Sequence, residues 1–361
     1  MFNKVISFKA FHISNRSFSK QFLLLVLAFI FFHFAIWNFY TKEIFNLPKN
    51  RIIGDLGRLS YATNSLMLRS EPHPIFFNMN NWDRKPVDLL TIGDSFSNGG
   101  GTYYQNHLIK NQHLRILNIP NLTNVNNYIE TISILNQTNF LNIINPKSIL
   151  IESVERRAVE RFSANIDFNK TVDNVNKLLE HNMNSYDTPA TLSFINTNNY
   201  NAFLYNILYF FNDSAFYSSV YKVSLTGAHF NNKAPSTLLY YINDLKYLNF
   251  ATKSNISALN HNINTLAKAL QEKKITLYFM PVVDKYDLYE PYIINNQYQQ
   301  SHFFKLLRQE DKQYTLIDTK KILSLSLNNK EKDIFWADDS HWTEKAVTEI
   351  FSEYKFQKHE K

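Results

Sequence analysis

Val87 to Gly101 reads VDLLTIGDSFSNGGG. The run VDLLTI is short and apolar and enters a glycine cluster, which suits a buried strand ending in a sharp turn. Four of the chain's seven glycines fall between Gly93 and Gly101. A chain this poor in glycine that gathers them after a strand needs unusual backbone there, either positive φ or the close approach of another group. Phosphate loops use glycine too, but no Gly-Lys-Ser/Thr follows and no G-x-G-x-x-G is present. A serine at the carboxyl end of a strand, on the turn into a helix, is held rigid and exposed. That makes Ser95 a candidate nucleophile, with Gly93, Asp94 and the helix start around a developing oxyanion. Ser97 is a rival hydroxyl. The plainer alternative is that Asp94 and Ser95 only cap a helix.

Further along the chain, Arg115–Ile119 (RILNI) and Ser148–Val154 (SILIESV) read as strands, and Val125–Leu141 between them has helical spacing. Helical periodicity returns at Ile256–Gln271, before the apolar run Ile275–Val283. Strands alternating with helices predict an α/β domain with a parallel sheet and helices on both faces. That domain is expected over 86–361, with an insertion at about 163–250 that is rich in Asn, Tyr and Phe and partly helical. Residues 41–85 read as a polar stem.

Of the 361 residues, 45% are apolar and 19% charged, so a sizeable core is possible. The formal net charge is +7, yet the basic residues are dispersed, and no nucleic-acid partner is expected. There is no cysteine, which excludes disulfides, thiol nucleophiles and Cys-ligated metals.

Phe22–Tyr40 reads FLLLVLAFIFFHFAIWNFY, nineteen residues interrupted only by His33 and Asn38. At about 1.5 Å per residue it would reach roughly 28 Å, close to a bilayer's hydrocarbon thickness. Trp37 and Tyr40 stand where an aromatic belt would lie, while Lys4, Lys9, Arg16 and Lys20 precede the run with no acidic residue. The expectation is a single-pass signal anchor over 22–40, with residues 1–21 cytoplasmic. The C-terminal domain then lies outside the inner (cytoplasmic) membrane, periplasmic or extracellular.

A serine nucleophile needs a base, and the base needs a carboxylate to fix its tautomer. Asp338-Asp339-Ser340-His341-Trp342 supplies both, shortly before an apolar-spaced segment at Ala346, Ile350 and Phe351. GDSF at 93–96 resembles the first block of the SGNH (GDSL) hydrolase superfamily. The Asp…His string resembles its last block, about 245 residues later. The resemblance implies a three-layer α/β/α domain with a short parallel sheet, Ser95 as nucleophile and His341 as base. The superfamily's Asp-x-x-His spacing selects Asp338 as the orienting carboxylate, which is the working expectation. Asp339-Ser340-His341-Trp342 also resembles the Asp-Thr-His-Trp of alginate O-acetyltransferase-type proteins, and that selects Asp339.

The second resemblance extends to Ile275–Tyr289, similar to a strand and Pro-x-Lys-…-Tyr loop with Lys285 and Tyr289 at matching spacing. It also covers SILIESVER, which ends in Glu155-Arg156. The serine precedes the Asp–His pair here, unlike in the alginate proteins. The superfamily's second-block Gly and third-block Asn have no clear counterparts, which leaves Asn118, Asn121 and Arg156 as candidate oxyanion donors. These resemblances imply O-acyl transfer, acetyl above all, to or from sugar hydroxyls of an extracytoplasmic polysaccharide. A polytopic membrane protein would supply the acyl group, and no metal or diffusible cofactor is required. A carbohydrate or lipid esterase shares the same chemistry; a non-catalytic envelope glycan-binding protein is the reading from another class.

Overall fold

The computed structural model describes residues 15–99, 102–122, 127–172 and 192–360, together with the isolated positions 125 and 175. Lys4 and Lys9, Gly100 and Gly101, and residues 173–174 and 176–191 of the expected insertion lie outside them.

Five strands form one parallel sheet: β3 (Leu89–Ile92), β4 (Ile116–Asn118), β5 (Ser148–Val154), β8 (Thr276–Val282) and β9 (Thr315–Leu316), in the order β4–β3–β5–β8–β9. Strands β3 and β5 are buried along their whole length, as strands covered on both faces must be. Hence they read as continuous apolar runs and not as alternations. The expected strands and helices are present within a few residues; β9, two residues long, carries no period to read.

The helices fall into two packed groups. Tyr104–Gln112, Thr319–Asn328 and Glu344–Ser352 pack together, with Tyr104 stacked on Phe351 at 5.5 Å. Tyr128–Gln137, Glu155–Phe162, Lys253–Gln271 and Phe303–Gln309 form the other group, and Phe162 meets the strand residue Phe279 edge-on at 5.6 Å.

The chain leaves β3, forms β4 on one side and returns to β5 on the other. The carboxyl end of β3 is therefore a topological switch point, where open parallel sheets leave a crevice. Ser95 sits there, at the start of the one-turn helix Ser95–Asn98.

Two regions depart from expectation. Residues 41–85 are more than a stem: strands β1 (Arg51–Ile52) and β2 (Arg69–Ser70) pair antiparallel, and the segment packs against the Asp338–Ser340 loop. The insertion is partly helical, as expected, at Asn198–Leu208 and Ile242–Lys246, but it also carries an antiparallel hairpin, β6 (Val220–Ser224) and β7 (Thr237–Tyr241).

The N-terminal helix runs Asn15–Ile36 and continues through a π-turn at Trp37–Thr41 into Lys42–Phe45. Ser17–Phe45 is long and apolar enough to cross a membrane.

Candidate active site

The turn after β3 is fixed from below. A Cβ on Gly93 would lie 2.3 Å from Oε2 of Glu152 and 2.4 Å from Oγ of Ser97, so close approach requires glycine here. At Gly99 the reason is conformational, since φ is +112°. Glu152 on β5 accepts from the Asp94 amide at 2.9 Å and from the Ser97 hydroxyl at 2.8 Å. Burial, together with the neighbouring Asp94, raises the Glu152 pKa well above the carboxylate range. Asp94 caps the helix. Its Oδ2 accepts from the Val154 amide at 2.9 Å and from Arg161 at 2.6 Å. Burial opposes its charge, but Arg161 and the hydrogen bonds around the carboxylate together outweigh burial and lower the pKa. Ser97 is fully buried and also bonded to Tyr104, which removes it as a rival nucleophile.

Above the turn stands His341. Its Nε2 lies 2.8 Å from Oγ of Ser95, and its Nδ1 lies 2.7 Å from Oδ1 of Asp339. With Asp339 ionised, Nδ1 must carry the proton it donates, which leaves the Nε2 lone pair facing the serine hydroxyl. The imidazole packs on Phe96, 4.6 Å between ring centroids. The orienting carboxylate is thus Asp339, and the expectation for Asp338 is corrected. Asp338 turns the other way, accepting from the amides of Gly54 at 2.8 Å and Met67 at 3.0 Å.

Arg69 lies between the two carboxylates, bonded to Oδ2 of Asp339 and 3.3 Å from Oδ1 of Asp338. Burial works against charge on Asp339, but His341 and Arg69 hold its pKa far below the usual range. For His341, burial favours the neutral ring, yet the adjacent Asp339 wins and raises the imidazole pKa. Asp55 accepts from the Ser340 amide at 2.8 Å and from its hydroxyl at 2.7 Å, which anchors the residue before the histidine.

Lys285 is buried beneath the loop and donates to the carbonyls of Trp336, Ala337 and Asp339 at 2.7, 3.0 and 3.0 Å. Burial pushes its ammonium down to about 8, although Asp338 and Asp339 pull the other way. The matching Tyr289 is a core residue, packed against Phe230 and Phe335.

The proposed oxyanion donors are not gathered around Ser95. Asn118 gives its amide to Asn98 at 2.7 Å, and Asn98 in turn holds the Gly93 carbonyl at 2.6 Å. Asn121 donates to the Val125 carbonyl. Arg156 pairs with Asp284 at 2.5 Å and Asp244 at 3.2 Å, because its helix starts beneath those buried carboxylates. Asp55 and Arg69 were not legible as site residues, since each is a lone charge in a segment without motif or period. Glu152 lies in the strand read from SILIESV and Arg161 in the charged run after it, where nothing in the pattern marks either as a support of the turn.

Asp55, Asp339 and His341 offer ligand atoms within 4.8 Å of one another and could hold a cation. As arranged, the Asp339 carboxylate is already shared between His341 and Arg69. No protein-family model, curated protein or solved structure matches this chain.

Proposed function

We propose that the chain is a membrane-anchored serine enzyme that transfers an acyl group, acetyl above all, to or from sugar hydroxyls through an acyl-enzyme on Ser95. One observation carries this reading: the unbroken line Ser95 Oγ–His341–Asp339, with contacts of 2.8 and 2.7 Å. In this mechanism His341 takes the hydroxyl proton as Ser95 attacks the acyl carbonyl and returns it to the leaving group. It then deprotonates the acceptor hydroxyl that attacks the acyl-enzyme. Asp339 keeps the imidazole in the required tautomer and stabilises its charged form. The Ser95 amide, in the first turn of its helix, has no intrahelical partner and is available to the oxyanion.

The two helix groups would be the outer layers of a three-layer α/β/α fold of SGNH type. Arg69, which pairs with Asp339, also lines a cleft of about 390 Å³ with Tyr103, His107, Lys110 and Trp336, whose aromatic faces and polar edges suit a sugar; Ser95 and His341 are not among its lining residues. The site would face the side of the membrane opposite the basic N-terminal flank. A polytopic acyl donor and an envelope polysaccharide are the partners this chemistry calls for.

The test is labelling of the full chain with a fluorophosphonate. Ser95→Ala should abolish labelling and Ser97→Ala should retain it; labelling that persists in Ser95→Ala overturns the reading. Partition of an acetyl-enzyme formed from p-nitrophenyl acetate between water and an added glycan then separates hydrolase from transferase.

A further inference from the structure

Residues 192–212 contain no charged side chain. Within this stretch the helix Asn198–Leu208 and the turn after it leave Tyr200, Phe203, Leu204, Ile207, Phe210 and Phe211 exposed, the last two by 86% and 74%. So much contiguous apolar and aromatic surface marks an interaction face. Its position says with what. Phe203 meets Phe32 of the N-terminal helix edge-on at 5.3 Å, and Ala202 packs with Ile36. The exposed face therefore continues the bare apolar surface of the membrane-length helix, where Phe29, Ile30, Phe31 and Phe34 are also exposed.

His33 gives a second, independent indication. It interrupts the apolar run and is fully buried, with Nδ1 2.9 Å from the Asn199 side chain and Nε2 3.1 Å from the Tyr200 hydroxyl. A polar ring in an apolar span is costly unless it is partnered. Its partners come from the start of the second helix, so the two helices share one level.

We propose that residues 194–211 form a second, non-spanning contact with the lipid bilayer, seated in the outer headgroup–acyl boundary beside the anchor. Amphipathic aromatic segments bury roughly 5–10 Å into that boundary. With two contacts instead of one, the catalytic domain cannot swivel on its tether, and Ser95 keeps a fixed orientation to the membrane. The inference rests on the membrane reading of the N-terminal helix and not on the serine chemistry.

The absence of cysteine makes the test direct. Single-cysteine chains Leu25→Cys, Phe203→Cys, Phe210→Cys and Leu325→Cys, each full length, are labelled with nitrobenzoxadiazole and reconstituted into phosphatidylcholine–phosphatidylglycerol vesicles. Lipid carrying a doxyl group at carbon 5 should dim the label at 203 and 210 at least 2-fold, as at Leu25 in the anchor. Aqueous iodide should instead dim the label at Leu325, which is exposed on the helix Thr319–Asn328. Labels at 203 and 210 that follow Leu325 overturn the proposal. Labels shielded from both quenchers assign the face to protein, a second copy if the unlabelled Phe210→Cys chain forms disulfide-linked dimers in air, and overturn it as well. If Leu25 also escapes the doxyl lipid, the anchor itself is not in the bilayer and both readings fall.

Discussion

The two halves of the candidate site are built in opposite ways. The nucleophile side is local: strand β3, Gly93, Asp94 and Ser95 follow one another, and the sheet beneath fixes the turn. The base side is a loop, pinched where Phe335 bridges Trp342 and where the Trp336 amide meets the His341 carbonyl at 3.2 Å. Its shape is imposed by Lys285 beneath it and by Gly54, Asp55 and Arg69, the last three some 270–285 positions away in sequence. Local construction separates chemistry from stability; long-range polar construction joins them. Substitutions on the two sides should therefore fail differently.

The largest effect should come where they meet. Ser95→Ala and His341→Ala should each lower turnover by on the order of 10⁴–10⁶, and the double variant should be little worse than either single one. Because Ser95 is only partly buried, its alanine variant should melt within about 1 °C of the parent. Turnover that falls multiplicatively in the double variant would show that the two do not act as a unit.

Next comes the orienting carboxylate. Asp339→Asn should cost on the order of 10²–10⁴ in turnover through the wrong tautomer. In Asp338→Asn the loss should fall on stability, by about 1–3 kcal/mol, because buried amides lose part of their acceptor. The reverse pattern, measured by kinetics and thermal melting, would return the orienting role to Asp338.

The pH profile sharpens the same point. A general base must be neutral, and His341 has its pKa raised by Asp339. The rate should therefore rise with pH through a limb above about 6.5, the ordinary imidazole value. Removing the carboxylate in Asp339→Asn should move that limb to lower pH while reducing the plateau. A limb that stays in place would break the link between His341 and Asp339.

Arg69→Met should be felt on both counts. It leaves two buried carboxylates side by side without their cation, at a cost of about 3 kcal/mol. Arg69→Lys keeps the charge but loses the fork that reaches both, and should recover part of the loss. Gly93→Ala should show the smallest change, about 1–3 kcal/mol from overpacking against Glu152 and Ser97, with slower phosphonate labelling. An unaltered labelling rate there would mean that the turn tolerates movement.

This contrast also explains what could be read from sequence. The turn at Ser95 was legible because strand, glycines and serine lie within a few residues, and the parallel sheet because its buried strands are continuous apolar runs. Resemblance located His341 but could not choose between adjacent aspartates, since spacing does not reveal which way each side chain turns. Asp55 and Arg69 left no trace, because a lone charge in an aperiodic segment looks the same whether it faces solvent or a buried loop 270 residues on. Arg156 misled for a related reason: a cation following a strand signals nothing about the Asp284 and Asp244 that claim it.

Arg69 has one more consequence. It lies in the stretch that joins the N-terminal helix to the sheet, before β3 begins. A cut between residues 70 and 86 would leave every strand of the five-stranded sheet, with Ser95, Asp339 and His341, on one fragment. That fragment would lack the guanidinium that steadies both aspartates and the Asp55 carboxylate that anchors Ser340. Any chemistry at Ser95 would thus depend on the N-terminal segment staying seated against the loop, not on the serine, aspartate and histidine alone.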